Sequence, residues 1–187
     1  MKALLVYESM FGNTETVANA IARGVEANFE VDVVSIADID RYATTDTRLL
    51  IVGGPTHAFS MTREATRADA LSQGPPAASQ AILDRGIREW LAVLPPLSRP
   101  IPAAFFDTKV DKMKHLPGSA ARSAARSAKA LGFTLVSAPK SFFVHGVSGP
   151  LLDGEEERAQ EWGRQLGAEV IRRSSPQTNW PNMPARQ

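Results

Sequence analysis

Two four-residue runs, Ala3-Leu4-Leu5-Val6 and Leu49-Leu50-Ile51-Val52, contain no polar side chain. Successive side chains of a strand point to opposite faces, so such runs are strands only where both faces are covered. That is the situation of a central strand in a parallel sheet with helices on both sides. The intervening segments agree. From Asn13 to Ala27, Val17, Ala18, Ile21, Ala22 and Val25 recur at helical spacing. Phe29 to Ile36 begins by alternating and reads as a more exposed strand. After a short weak segment, Asp38 to Thr47, the second apolar run ends at Gly53-Gly54-Pro55. Met61 to Leu71 and Ala78 to Leu94 read as helices joined by Gln73-Gly74-Pro75-Pro76, and Ile101 to Phe106 as the fourth strand.

Ser119 to Leu131 reads as an Ala/Ser/Arg helix with a small, closely packing face. Phe133 to Val136, with Phe142 to Val144 beyond Pro139, forms a broken fifth strand. A last helix starts at Asp153, with Glu156 as its capping partner and Trp162, Leu166 and Val170 as its core stripe. Trp90 sits in a similar stripe. Strand and helix alternate throughout, which predicts an α/β three-layer sandwich with a five-stranded parallel sheet of order 2-1-3-4-5. Residues 1–173 form the expected domain. The tail, 174–187, holds Trp180 and three prolines and is expected to be extended or disordered.

The 187 residues are 43% hydrophobic and 22% charged, a globular balance. A net charge of +1 argues against a dedicated nucleic-acid binder. No apolar run reaches membrane-spanning length, and the N-terminus lacks a signal-peptide layout, so the expected location is the cytoplasm. There is no cysteine, which excludes disulfides and thiolate chemistry; three scattered histidines give no zinc spacing. A GxGxxG turn, a Walker loop and a Gly-x-Ser-x-Gly elbow are all missing.

In a sheet of this order, ligands bind beyond the carboxyl ends of strands 1 and 3. Three loops meet there. Ser9-Met10-Phe11-Gly12-Asn13-Thr14 joins strand 1 to the first helix, where free amides and the positive helix end favour an anion. It has no Lys or Arg, so the anion would be held by dipoles and hydroxyls. The second loop, Pro55-Thr56-His57-Ala58-Phe59, offers an aromatic ring and an imidazole. The third, beginning Asp107-Thr108-Lys109 and reaching His115, offers donors and charges. A phosphate cradle beside two loops able to cover a planar ring describes a mononucleotide site. His57 reads as a positioning group and Asp107 as fixing its own turn. His115 is the better placed of His115 and His145 to reach a ring edge.

Over residues 1 to about 172 the chain resembles the flavodoxin family. Ser9 to Glu15 matches the family's phosphate loop except that Phe11 replaces a hydroxyl residue; Gly53 to Phe59 and Phe106 to Lys109 resemble its two ring loops. The resemblance implies FMN, with its phosphate on Ser9 to Thr14 and its ring between Pro55–Phe59 and Asp107–Lys109. The cofactor-contacting set is then Ser9, Met10, Phe11, Gly12, Asn13, Thr14, Pro55, Thr56, His57, Ala58, Phe59, Asp107, Thr108, Lys109 and His115. It implies an electron carrier that serves a redox partner protein or a small-molecule acceptor, with no nucleic acid and no membrane. An FMN-dependent NAD(P)H:quinone-type reductase and a flavin-free binding domain are the alternatives. The chain departs from the family in two ways. The third loop lacks the usual stacking Tyr. It also carries Lys109, Lys112 and Lys114, whereas typical members are acidic. A cation about 8 Å from a reduced ring contributes roughly 2 kcal/mol at an effective dielectric of about 20. A less negative second reduction potential is therefore expected.

Overall fold

A computed structural model describes residues 1–41, 46–72 and 85–174. The apolar runs are β1 (Lys2–Tyr7) and β3 (Thr47–Pro55). Between them lie α1 (Asn13–Val25), β2 (Glu30–Ser35) and a 3-10 turn (Ile36–Arg41). Then come α2 (Glu64–Ser72), α3 (Ile87–Val93), β4 (Pro102–Val110), α4 (Ala120–Ala130), β5 (Thr134–Leu135), β6 (Lys140–Val144) and α5 (Glu155–Ser174).

The sheet order is β2-β1-β3-β4-β5, all parallel. The apolar side chains of β1 and β3 divide between two cores. Leu5, Leu49 and Ile51 join Val17, Ile21 and Val25 of α1 and Trp162, Leu166 and Val170 of α5. Leu4, Val6, Leu50 and Val52 join Trp90 and Leu91 of α3 and Ala121, Ala124, Ala125 and Ala128 of α4. The unbroken apolar runs are the direct record of this two-sided burial, and the alanine face of α4 lets it lie close to the sheet. Phe106, Phe142 and Trp162 meet edge to face at centroid distances of 6.0–6.4 Å beneath the carboxyl end.

Four boundaries differ from expectation. The fifth strand is two pieces on one edge of β4: β5 pairs with Pro102 and Ala103, and β6 with Phe106 to Val110. Pro139, which has no N–H to offer a ladder, lies in the gap. β4 extends to Val110, so Asp107, Thr108 and Lys109 are strand residues and not loop residues. The helix expected from Met61 begins at Glu64; Thr62, just ahead of it, donates its hydroxyl to the buried Glu8. The last helix begins at Glu155, not Asp153. Its first carboxylate is recruited inward by the Phe143 amide (2.9 Å) and Arg158, while Glu156 faces Arg23 at 3.4 Å. The Gln73-Gly74-Pro75-Pro76 joint, residues 78–84 of the Ala78–Leu94 segment and the tail beyond Ser174 lie outside the described residues. Among the described residues, no helix is long and apolar enough to cross a membrane.

Helices α1 and α5 approach until a Cβ on Gly24 would lie 2.0 Å from the Gln160 carbonyl oxygen. Backbone cannot yield as a flexible side chain can. Gly24→Ala is expected to cost about 1–3 kcal/mol, read from denaturant unfolding.

Candidate functional site

The reversal of winding direction between the parallel strands β1 and β3 leaves a crevice at the carboxyl edge, and a cleft there has a volume of about 210 Å³. Its wall combines Ser9, Met10, Phe11, Asn13 and Thr14, then Pro55 to Phe59, then Thr108 and Lys109. Twelve of the fifteen sequence-derived residues are therefore brought together. Gly12, Asp107 and His115 are not part of the wall.

At the phosphate-loop end, Gly12 takes the left-handed conformation (φ +84°) and starts α1. No side chain caps that helix, so its first amides are available to a ligand. The Ser9 hydroxyl is buried without a protein partner. Thr14 shares a 2.8 Å hydrogen bond with Thr108, which ties the loop to β4, and Asn13 donates to the Ser148 carbonyl at 2.9 Å. Phe11 packs with Met10, Ala70 of α2 and Ala37, so the residue that replaces a hydroxyl anchors the loop to its neighbours.

The second loop is a tight reversal. His57 and Ser60 exchange both backbone hydrogen bonds at 3.0 Å, and Ala58 and Phe59 between them both have positive φ (44° and 65°). Two successive left-handed residues give the primed turn that usually recruits Gly or Asn. The conformation turns Phe59 outward, leaving it 47% exposed at the cleft rim. Gly118, at φ +94°, sits so close beneath that a Cβ there would lie 2.3 Å from the Phe59 Cβ. His57 faces the cleft, and burial lowers its imidazole below the ordinary value, so it is neutral at pH 7.

The third group works differently from expectation. Asp107 is fully buried. Its Oδ2 accepts from Thr56 Oγ1 (2.9 Å), Ser119 Oγ (2.5 Å) and the Ala121 amide (3.0 Å), and so locks the second loop to the start of α4. Lys109 is also buried. Its ammonium donates to the carbonyls of Leu116 (2.9 Å) and Gly118 (3.2 Å), which sets the following loop. It clamps backbone and is not part of a solvated face. His115 is exposed and away from the cleft, because Met113 and Val110 turn in at that level. Val144 and Val147 close the remaining wall. These four apolar residues were missed by sequence reasoning. The apolar end of β6 followed by Gly146 and Gly149-Pro150 was the available signal for Val144 and Val147.

Behind the cleft lies a polar network that no motif announces. Glu8, 1% exposed, accepts from Thr62 Oγ1 at 2.5 Å and from the Ile87 amide at 2.9 Å. Arg67, fully buried, donates to Thr62 Oγ1 (3.2 Å) and Glu89 Oε2 (3.1 Å). The Gly86 amide also donates to Glu89 Oε2 (2.9 Å). One carboxylate adjoining the phosphate loop thus holds both ends of the long excursion between β3 and β4.

Comparison with known proteins follows this geometry. Residues 5–80 match the flavodoxin family model. An archaeal flavodoxin superposes with a TM-score of 0.63 at 22% identity, over 91% of this chain and 99% of that one. A flavodoxin from Streptococcus pneumoniae TIGR4 gives 0.60 at 18%, over 92% and 99%. A WrbA-like flavodoxin from Agrobacterium tumefaciens gives 0.57 at 17%, over 91% and 98%. The fold is flavodoxin-like. Its sheet order is that of these structures. No curated protein matches the sequence.

Two outcomes follow for this flavodoxin-like site. Ala58→Gly relieves a left-handed alanine worth about 1–2 kcal/mol, offset by roughly 0.5–1 kcal/mol of extra chain entropy. A net stabilisation of up to about 1 kcal/mol is expected in thermal unfolding. The second concerns Glu8. Burial pushes its carboxyl above the ordinary range, against the lowering pull of Thr62, the Ile87 amide and Arg67. The folded chain therefore keeps this proton where the unfolded chain, near 4.5, has lost it. That contribution is complete below the unfolded value and is lost as pH rises through the folded one. As pH rises from about 4.5, the unfolded value, through the folded one, Glu8→Gln should gain stability relative to wild type, and denaturant melts measure the difference.

Proposed function

We propose that residues 1–173 form an FMN-binding flavodoxin-like redox domain that carries electrons to or from a partner. The observation that carries this reading is the Ser9 hydroxyl, buried at an uncapped helix N-terminus and without a protein partner. A buried hydroxyl left unsatisfied costs about 1–3 kcal/mol, and a phosphate oxygen supplies what it lacks. The donor set fits a phosphate monoester: loop amides, Ser9 and Thr14, with no countercharge in the loop. The rest of the cleft suits a planar ring, with Pro55 to Phe59 along one wall and Val110, Met113, Val144 and Val147 along the other.

When bound, FMN supplies one- and two-electron chemistry; this chain's residues bind it, shield it and set its potential. Thr56, held by Asp107 and donated to by the Ala120 amide at 2.8 Å, keeps the second loop in place. Neutral His57 offers a hydrogen-bonding edge without adding charge. The Lys109 ammonium at the cleft wall adds positive charge, which moves any reducible group bound there to a less negative potential than an acidic setting would.

An FMN-dependent NAD(P)H:acceptor reductase is the second reading. It is favoured by the aliphatic wall at the third loop, which covers less of a ring than a stacked tyrosine, and by the outward-turned Phe59 beside an open mouth. NAD(P)H oxidation by the isolated, FMN-loaded protein with a quinone supports this second reading. Turnover only with a separate reductase supports the carrier.

Adding FMN to the protein should give a bound-flavin absorbance spectrum with quenched fluorescence. Ser9→Ala should weaken FMN about 10- to 100-fold while leaving riboflavin, which lacks the phosphate, unaffected. Equal loss of both ligands, or of neither, overturns the phosphate assignment.

A further inference from the structure

Three large apolar side chains that the fold leaves exposed gather at the cleft mouth: Phe59 (47%), Leu116 (47%) and Val147 (57%). Phe59 and Val147 line the cleft itself. Leu116 lies two residues before Gly118, which packs under Phe59, and its carbonyl receives the Lys109 ammonium. Beside this patch, residues 111–130 carry Lys112, Lys114, Arg122, Arg126 and Lys129 against a single acid, Asp111, a local charge of +4 in a chain of +1. All five basic residues are exposed. Asp111 pairs with Lys114 at 3.4 Å; among the described residues no acid pairs with Lys112, Arg122, Arg126 or Lys129. The Asp107 and Thr56 contacts hold the first turn of α4, and with it Arg122, next to the second loop. The opposite flank has the other sign: Asp153, Glu156 and Glu157 border a shallow depression together with Asn13 and Thr16.

We propose that the cleft mouth is a docking surface for an acidic protein. Phe59, Leu116 and Val147 form its apolar centre, and Lys112, Arg122 and Arg126 its basic flank. An apolar centre with a charged border is how protein interfaces are built, and charge complementarity fixes both the encounter and its orientation. Two flanks of opposite sign favour a protein over an anionic membrane, because a lipid surface of one sign would be repelled by Asp153, Glu156 and Glu157. The surface rests on the flavin reading only for its purpose, which is to bring an acidic redox partner to the mouth of the site.

The test is a ¹⁵N NMR titration of the full chain, FMN-free and FMN-loaded, with two probes: an acidic b-type cytochrome and a basic c-type cytochrome. Binding of the acidic probe is expected, with shifts centred on residues 59, 112–126 and 147. Its affinity should fall about tenfold or more when salt is raised from low to physiological strength, and again in the K112E/R122E/R126E variant. R164E/R172E, on the outer face of α5, should leave it unchanged. If the triple variant loses its far-UV circular dichroism, R122E and R126E singly carry the comparison. Preference for the basic cytochrome, shifts elsewhere, insensitivity to the charge reversals, or stronger binding to phosphatidylserine vesicles overturns the proposal. If the FMN-free chain binds the acidic probe but FMN gives no bound spectrum, the flavin reading falls and the surface stands. If FMN binds and the acidic probe does not, only the surface falls.

Discussion

The structure depends on burying β1 and β3 from both faces. A strand with apolar side chains above and below needs a helical layer on each side, and right-handed crossovers can supply two layers only if the chain reverses its winding direction once. The reversal falls between β1 and β3, so their carboxyl ends part and a crevice opens there. Packing therefore chooses the position of the site before any ligand-binding residue is considered. The same packing brings the α1 N-terminus to that edge, with its unpaired amides directed at the crevice.

What surrounds the crevice is held by buried polar contacts more than by apolar ones. Glu8 accepts from Thr62 and the Ile87 amide, Asp107 accepts from Thr56, Ser119 and the Ala121 amide, and Lys109 donates to two carbonyls of its own following loop. Each of these ionisable groups is almost inaccessible, and each accepts or donates at more than one place. Such groups are costly to desolvate, but once satisfied they fix loop geometry far more tightly than aliphatic packing. The strained turn at Ala58 and Phe59 is possible because both its flanks are tied down in this way.

Most of the fold was legible because burial imposes periodicity. The two apolar runs, the stripe of Trp162, Leu166 and Val170, and the alanine face of α4 all follow from which layer each residue meets. Boundaries were misread where one polar side chain had a distant partner: Glu155 turned inward to Phe143, and Thr62 was drawn to Glu8. The loops after β1 and β3 were legible as compact segments, and both line the cleft. The third group was not, since Asp107 to Lys109 proved to be strand residues with inward tasks and His115 pointed away. Val144 reaches the cleft from the end of β6, and Val147 from the turn after it; the pairing partner of β6, β4, is about 35 residues earlier in the chain, and no local pattern records such a pairing.

By itself, the sequence determined the class of fold and the placing of the Ser9–Thr14 loop between β1 and the first helix. Those follow from local periodicity and from a short motif whose atoms lie within a few residues of one another. Only the tertiary structure decided which charged residues serve the scaffold and which remain free. Lys109 and Lys112 look alike in a one-dimensional reading, yet one is buried against two carbonyls and the other is exposed. The difference arises because β4 runs four residues further than its apolar pattern suggests, so that Lys109 is a strand residue and Lys112 is not.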